Sequence, residues 1–256
     1  MISAAVALAA PPPPNAPLPR TPRELAAALT RTTAALDAAL RRERQSDEVV
    51  LYALYQQRIY RLLVRDERLG RLTLARLPQN LRPVSRDLLA AQRELYVLTP
   101  GIPARTIKVG PAAPARVLLA YYREAERRFG VQWNVLAAVN FVESKFGKLR
   151  SASAAGAQGP MQFMPATWRR YGLGGNVRDP HDAILGAANY LRASGAPRDL
   201  RRALHAYNPS TAYVDAVQRY ARRIASSRTM FYALYNWQVF VKTPAGDRRV
   251  TGPGLP

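Results

Sequence analysis

Apolar residues recur every three or four positions through most of this chain, a spacing that predicts helices. Thr21-Pro22-Arg23-Glu24 has the form of a capping box with proline at the first helical position. Leu25, Leu29, Thr32, Leu36 and Leu40 follow on one stripe. A second helix is expected from about Asp47 to Leu77, with Leu51, Leu54, Tyr55, Ile59 and Leu62 on its apolar face. Pro78 and Pro83 are expected to break it, and a third helix runs from about Ser85 to Leu98. Residues 99–114 are rich in Pro and Gly and read as a linker.

From Ala115 the helical pattern resumes. Gly130 stops one helix, and the next runs from Trp133 to about Lys145. Pro165 to Tyr171 reads as a short helix. Asp179-Pro180-His181-Asp182 puts acid at the cap and first turn of a helix that lasts to about Ser194. Asp199 to Ala206 and Thr211 to Ser226 supply two more. Val239-Phe240-Val241 and Arg249-Val250-Thr251 then flank a turn at Thr243-Pro244-Ala245-Gly246-Asp247, which predicts a C-terminal β-hairpin.

These elements give a mainly α chain in five parts. Residues 1–20 hold a short apolar start and a Pro-rich tether, and residues 21–98 a helical hairpin or small bundle. The linker follows at 99–114, a second helical domain at 115–228 and an extension at 229–256. Met1 to Ala10 ends in Ala7-Leu8-Ala9, which is like a signal cleavage site but lacks a basic flank. It reads as a remnant of an export signal or as a plain disordered start. Pro11 to Pro19 reads as an extended polyproline-type segment.

Composition changes this picture in three places. At 256 residues and 48% hydrophobic, the chain has enough apolar surface for a real core. It has no Cys, which excludes disulfides and thiolate metal sites. No run of 18 apolar residues suggests a spanning helix. The formal net charge is +21, and Lys occurs only at 108, 145, 148 and 242, so 34 of the 38 basic residues are Arg. Genome composition explains such a bias as readily as an anionic polymer partner does, and nucleic acid and cell wall both qualify as partners. The basic pairs Arg41-Arg42, Arg127-Arg128, Arg169-Arg170, Arg201-Arg202 and Arg222-Arg223 are scattered, with no nucleic-acid motif beside them.

The candidate chemistry lies between residues 143 and 208. Glu143 shares a helix face with Val139 and Leu136, on a helix that is apolar nearly all round. Burial there favours the protonated carboxyl, as a general acid requires. The alternative is a structural Glu paired with Lys145 or Lys148. Gly156-Ala157-Gln158-Gly159-Pro160-Met161-Gln162-Phe163-Met164-Pro165 reads as a tight turn. In it Gln162 offers sugar-binding donors and acceptors, and Met161, Phe163 and Met164 supply an apolar wall. Ala206-Tyr207-Asn208 places a phenol and an amide at a helix end, where the alternative is a satisfied core Tyr and an Asn cap. No second acid sits in these segments. Asp179, Asp182 and Asp215 read as helix-start or surface charges.

In this order the segments resemble the catalytic domain of lytic transglycosylases of the goose-type lysozyme superfamily, from about residue 115 to 226. Glu143-Ser144 is similar to the family's Glu-Ser, and Ser153 falls at its Ser position. Gln162 and Met164 lie in its Met-Gln-x-Met. Asp179-Pro180 with Ile184, Gly186, Tyr190 and Leu191 resembles its next structural motif, and Ala206-Tyr207-Asn208 its Ala-Tyr-Asn. Pro160 stands where Leu is commoner, and Pro209-Ser210 replaces Ala-Gly.

The resemblance implies a lysozyme-like helical fold without metal or cofactor, acting on peptidoglycan glycan strands outside the cytoplasm. Glu143 would be the sole acid and base. Ser153, Gln162, Met164, Tyr207 and Asn208 would bind the sugar. The bond between N-acetylmuramic acid and N-acetylglucosamine would be cleaved with formation of a 1,6-anhydro ring. A lysozyme-like hydrolase, a cell-wall-binding module that does not cut, and a nucleic-acid binder are the rival readings.

Overall fold

Thr21 opens helix α1 (Pro22–Arg42) with the expected capping box. Its hydroxyl accepts from the Glu24 N–H at 3.3 Å, and the Glu24 carboxylate accepts from the Thr21 N–H. The structure is a computed structural model that describes residues 10–98, 107–244 and 246–255. Most of the expected signal remnant (1–9), half of the expected linker (99–106) and Ala245 of the hairpin turn lie outside the described residues.

Two helices, α2 (Asp47–Arg65) and α3 (Glu67–Arg76), replace the one expected over 47–77. The break is Asp66. Its N–H ends α2 on the Leu62 carbonyl, and its side chain accepts from the Leu69 N–H at 2.8 Å to start α3. Short carboxylates compete for backbone donors, so capping here overrides a continuous apolar period. Pro83 does not break a helix either. It lies in the first turn of α4 (Arg82–Leu98), where a missing N–H costs no internal bond.

Helices α5 (Ala115–Phe129), α6 (Trp133–Ser144), α7 (Pro165–Tyr171), α8 (Pro180–Ala193), α9 (Leu200–Tyr207) and α10 (Thr211–Ser226) lie within about two residues of expectation. Gly130 ends α5 in the left-handed region at φ 70°, as a helix-stopping glycine should. Helix α11 (Arg228–Tyr235) is not among the expected elements. Its eight residues follow α10 after Ser227 alone, too short a run for periodicity to separate. Strands β1 (Phe240–Thr243) and β2 (Gly246–Arg249) form the hairpin, with Phe240 opposite Arg249. Its second strand starts three residues before the expected Arg249, because Gly246 at φ 108° makes the turn tighter.

The fold is mainly α. Leu29, Tyr60 and Leu88 from the first helices join Leu136, Phe141 and Val217 in one continuous core. The described part of the Pro-rich stretch is docked on this body. Arg58 donates to the Pro14 and Ala16 carbonyls at 3.2 and 2.7 Å, and Arg249 donates to the Asn15 side chain.

Packing around α6 and α10 sets the position of the site. Helix α4 packs along α10, and α6 packs against both α10 and α5. The buried helix α6 is tied by its own amides: Asn134 donates to the Ala221 carbonyl of α10 at 3.1 Å, and Asn140 to the Tyr122 hydroxyl of α5 at 2.8 Å. Across α4 and α10, Asp87 accepts from Arg223 Nε at 2.7 Å and also faces Arg219 and Arg222 at 3.5 Å. Glu94 accepts from Arg219 at 3.2 Å.

Asp87→Asn leaves three guanidinium groups around a neutral amide. The pairs are partly exposed, so the expected loss is modest, about 1–2 kcal/mol. Thermal unfolding should register this as a drop of roughly 2–8 °C, smaller at high salt.

Candidate active site

The last turn of α6 carries both the acid and the clasp that fixes it. Glu143 and Ser144 are neighbours, so they leave the helix in different directions. Ser144 is buried and fully used. Its hydroxyl donates to the Pro160 carbonyl at 2.5 Å and accepts from the Gly147 N–H at 2.8 Å. One hydroxyl therefore pins the Gly-rich loop to the end of α6. Beyond it, Lys145 takes the left-handed conformation at φ 53°, and its N–H bonds the Asn140 and Phe141 carbonyls to close the helix.

The loop pinned by Ser144 is itself a tight turn. Gln158 and Phe163 exchange backbone hydrogen bonds at 2.9 and 2.8 Å. Gly159 has φ 74°, and a Cβ there would sit 1.8 Å from the Val177 carbonyl oxygen. Only glycine meets both conditions. Gln162 holds φ 48°, a strained value for a side-chain-bearing residue and one often kept at functional loops. Its amide donates to the Gly159 carbonyl at 2.9 Å.

Glu143 is set into the cleft between α6 and α10. Its Oε1 accepts a 2.6 Å hydrogen bond from the Tyr213 hydroxyl. Oε2 has no protein partner among the described residues. Burial raises the Glu143 pKa to about 7, against smaller opposing effects from the Tyr213 hydrogen bond and the Lys145 charge. Neither lysine forms an ion pair with it. Lys145 Nζ donates to the Phe141 carbonyl at 3.0 Å, and Lys148 Nζ to the Tyr235 and Trp237 carbonyls at 2.5 and 2.7 Å. The paired structural Glu considered from sequence is thus replaced by an acid that holds its proton near neutrality.

Tyr213 is the site residue that sequence reasoning misses. It is one of 13 tyrosines and lies in the first turn of α10, outside the motifs. A usable signal is the short Pro209-Ser210 link, which seats that first turn beside the end of α9. Tyr207 does lie in the cleft, but its hydroxyl donates to the Met161 carbonyl at 2.7 Å. Burial and the Glu143 charge push both phenols above their usual pKa, so both remain neutral donors.

The other expected residues divide. Gln162 is half-buried at the loop, and Met164 is exposed at the cap of α7. Ser153 is exposed, and its hydroxyl accepts from the Ala157 N–H at 3.0 Å, which shapes the turn ahead of Gly159. Asn208 caps α9 through its backbone. No hydrogen bond joins Ser153, Gln162 or Asn208 to Glu143 among the described residues. Met161 is fully buried and is core, not cleft wall. Phe163 is 2% exposed and is likewise core, where it packs against Trp168 and Tyr207. The partly exposed rings are Trp168, Tyr171, Tyr190 and Tyr207, with Tyr190 4.7 Å from Tyr171 and 5.6 Å from Tyr207 between ring centroids.

Asp179, His181 and Asp182 cluster closely enough to resemble metal ligands. All three are already engaged. Asp179 accepts from the His181 and Asp182 N–H groups, His181 contacts Glu124 at 2.9 Å, and Asp182 accepts from the Asn176 N–H at 2.8 Å. They serve the start of α8. Asp215 pairs with Arg201 at 2.6 Å on the surface.

Two outcomes are expected from this geometry. Tyr213→Phe removes the bond that favours ionised Glu143, so the Glu143 pKa should rise by up to about one unit. A carbon-13 carboxyl titration of the folded protein would measure it. The second concerns stability. Glu143 binds its proton more tightly folded than unfolded, so its contribution is present below the ordinary 4.5 and is lost as pH rises through about 7. Glu143→Gln should therefore unfold less readily than the parent at pH 8, by on the order of 1–3 kcal/mol, and equally at pH 4. Paired denaturant titrations at the two pH values would check this.

Comparison with known proteins adds family context. Residues 120–229 match the family model described as Transglycosylase SLT domain. The membrane-bound lytic murein transglycosylase F of Thiobacillus denitrificans is 30% identical over 119 residues, covering 43% of this chain and 24% of that protein. The membrane-bound lytic murein transglycosylase F 1 of Alkalilimnicola ehrlichii is 30% identical over 111 residues, covering 40% and 22%. The chain thus spans about a quarter of the length of the curated relatives it matches. No solved structure matches it.

Proposed function

We propose that this chain, through its SLT domain, is a peptidoglycan lytic transglycosylase with Glu143 as its only acid and base. The carrying observation is one carboxyl with a pKa raised to about 7, fixed by Tyr213 on Oε1 and free of a protein partner on Oε2. No other carboxylate is among the groups that shift it. A general acid poised near neutrality can give a proton and then take one back.

In this mechanism Glu143 protonates the oxygen that links N-acetylmuramic acid to N-acetylglucosamine, and the bond from that oxygen to C1 breaks. The 2-acetamido group stabilises the charge at C1. Ionised Glu143 then accepts the proton of the muramic C6 hydroxyl as its oxygen bonds C1, closing the 1,6-anhydro ring. Atoms balance without water. Tyr213 holds the carboxyl in place through both steps. Its hydrogen bond favours the ionised form, which is the form needed for the second step. The partly exposed rings of Trp168, Tyr171, Tyr190 and Tyr207 offer faces for sugar rings, and half-buried Gln162 on the preceding loop adds donors and acceptors. The surplus of Arg suits an anionic wall polymer.

Action outside the cytoplasm follows from that substrate. The curated relatives are named membrane-bound, whereas no described helix of this chain is long and apolar enough to cross a membrane.

Digestion of purified peptidoglycan by the parent and by Glu143→Gln is the decisive experiment. Anhydro-ended fragments, lighter by one water than reducing ends, are expected from the parent. The variant should lose activity by roughly 10²–10⁴-fold. Reducing ends would identify a hydrolase instead, and retention on peptidoglycan without cleavage would identify a binding module. Activity that survives Glu143→Gln unchanged would remove Glu143 from its role.

A further inference from the structure

Helix α11 packs on α10, α1, α2 and α6, and a groove of about 350 Å³ is left open between it and α5. The groove lies beside Trp133 at the start of α6, the end opposite Glu143. Three arginines line it, Arg116 and Arg123 from α5 and Arg228 from α11, and no carboxylate does. Of the three, only Arg123 is paired. It meets Glu126 at 2.9 Å and lies 4.7 Å over the Trp133 ring. Arg116 and Arg228 are exposed, with no ion pair or hydrogen bond among the described residues. The exposed part of the floor is apolar and comes from Leu119, Ala120 and Trp133. Arg44, from the turn after α1, adds a further guanidinium 5.1 Å over the ring of Tyr232, which also lines the groove.

The chemistry of the occupant follows from the charge and the spacing. Arg116, Ala120 and Arg123 stand at i, i+4 and i+7 of α5 and share one face. The two arginines are therefore two turns apart, about 10.5 Å. Guanidinium groups on either side of an apolar floor ask for carboxylates with apolar groups between them. A second helix offers that pattern at the same spacing, with acids at i and i+7 and apolar side chains at i+3 and i+4. The rings of Phe231 and Tyr232 are buried, and Arg123 covers a face of Trp133, which leaves little ring surface for a sugar or a base to stack on. Residues 1–9 and 99–106 contain no acid, so those segments of the chain bring nothing to neutralise the arginines. A second copy would bring a net charge of +21 to a cationic surface. We propose that this groove docks an acidic amphipathic helix of a partner protein, with carboxylates seven positions apart toward Arg116 and Arg123 and its apolar residues on Leu119 and Ala120. Arg228 faces the same helix from the opposite wall. This surface is separate from the cleft and does not depend on the assignment of glycan cleavage.

The test is titration of the full chain into a fluorescently labelled synthetic peptide of about 20 residues, long enough to be helical alone, with Glu at i and i+7 and Leu at i+3 and i+4. Saturable binding is expected, at least tenfold tighter than for a copy with both Glu changed to Gln. A copy with Glu at i and i+5 puts the acids on different faces and should also lose tenfold. Arg116→Gln and Arg228→Gln should each weaken binding threefold or more, and together tenfold or more. Ala120→Glu sets a like charge in the floor and should weaken it tenfold, while circular dichroism and the unfolding midpoint show a folded chain. Should an arginine variant fail to fold, Ala120→Glu decides. No saturable binding of the peptide up to about 1 mM, the weak end of useful affinity, would overturn the proposal. Equal binding of the copy with shifted acids would reduce it to unspecific charge attraction and overturn it as well. Binding unchanged in the variants would overturn its location. Phosphatidylglycerol vesicles or a single-stranded oligonucleotide that displace the peptide and lose affinity in the same variants would overturn the partner class.

Discussion

The hydrogen bond from Tyr213 to Glu143 is the contact around which the rest of the molecule is arranged. A carboxyl taken out of water holds its proton unless something favours the anion. Here burial does the raising and one phenol does the restraining, and the result lies near 7. That balance depends on the separation of α6 and α10 at their facing ends. Asn134 ties the opposite end of α6 to Ala221 of α10, and α4 braces the second half of α10 through Asp87 and Glu94, so the crossing is held from its far side. The N-terminal helices therefore reach the chemistry without touching the cleft. They hold the helix that holds the phenol.

Glu143 and Ser144 divide the work of one helix turn. The acid faces the cleft, and its neighbour faces the protein and captures the Pro160 carbonyl. Neighbouring residues on a helix point about 100° apart, so both jobs are done within two positions. Ser144 ties the position of Glu143 to the position of the Gly-rich loop, and Tyr207 ties the same loop to α9 through Met161. Tyr207 thus contributes as a strut for the cleft wall, a role that a motif match does not distinguish from sugar contact.

Much of this is legible in the sequence, for a definable reason. The helices from α5 to α10 are each bounded by local signals: a glycine at Gly130, a proline at Pro165, an acidic cap at Asp179. Local signals need no knowledge of the fold. The apolar surround of Glu143 is legible for the same reason, since α6 is hydrophobic on nearly every face. The features that escape are decided by tertiary contact or by competing local rules. Tyr213 becomes special only because α10 crosses α6 where it does. Asp66 could end one helix and start another, and no period count weighs capping against continuity. The buried lysines read as partners for Glu143 because opposite charges close in sequence invite pairing. In the fold their ammonium groups turn to backbone carbonyls instead.

The meeting of Gly159 with the Val177 carbonyl has a consequence for how such a domain can vary. The space that a side chain at 159 would need is filled by the backbone of the stretch between α7 and α8. The two segments form one surface in which neither can be lengthened alone. An insertion near Val177 would lift the cover from the turn that Ser144 clasps, and the disturbance would arrive at the acid without changing any residue of the cleft. Loop grafting aimed at this rim should therefore exchange residues 156–165 and 172–178 as a single cassette.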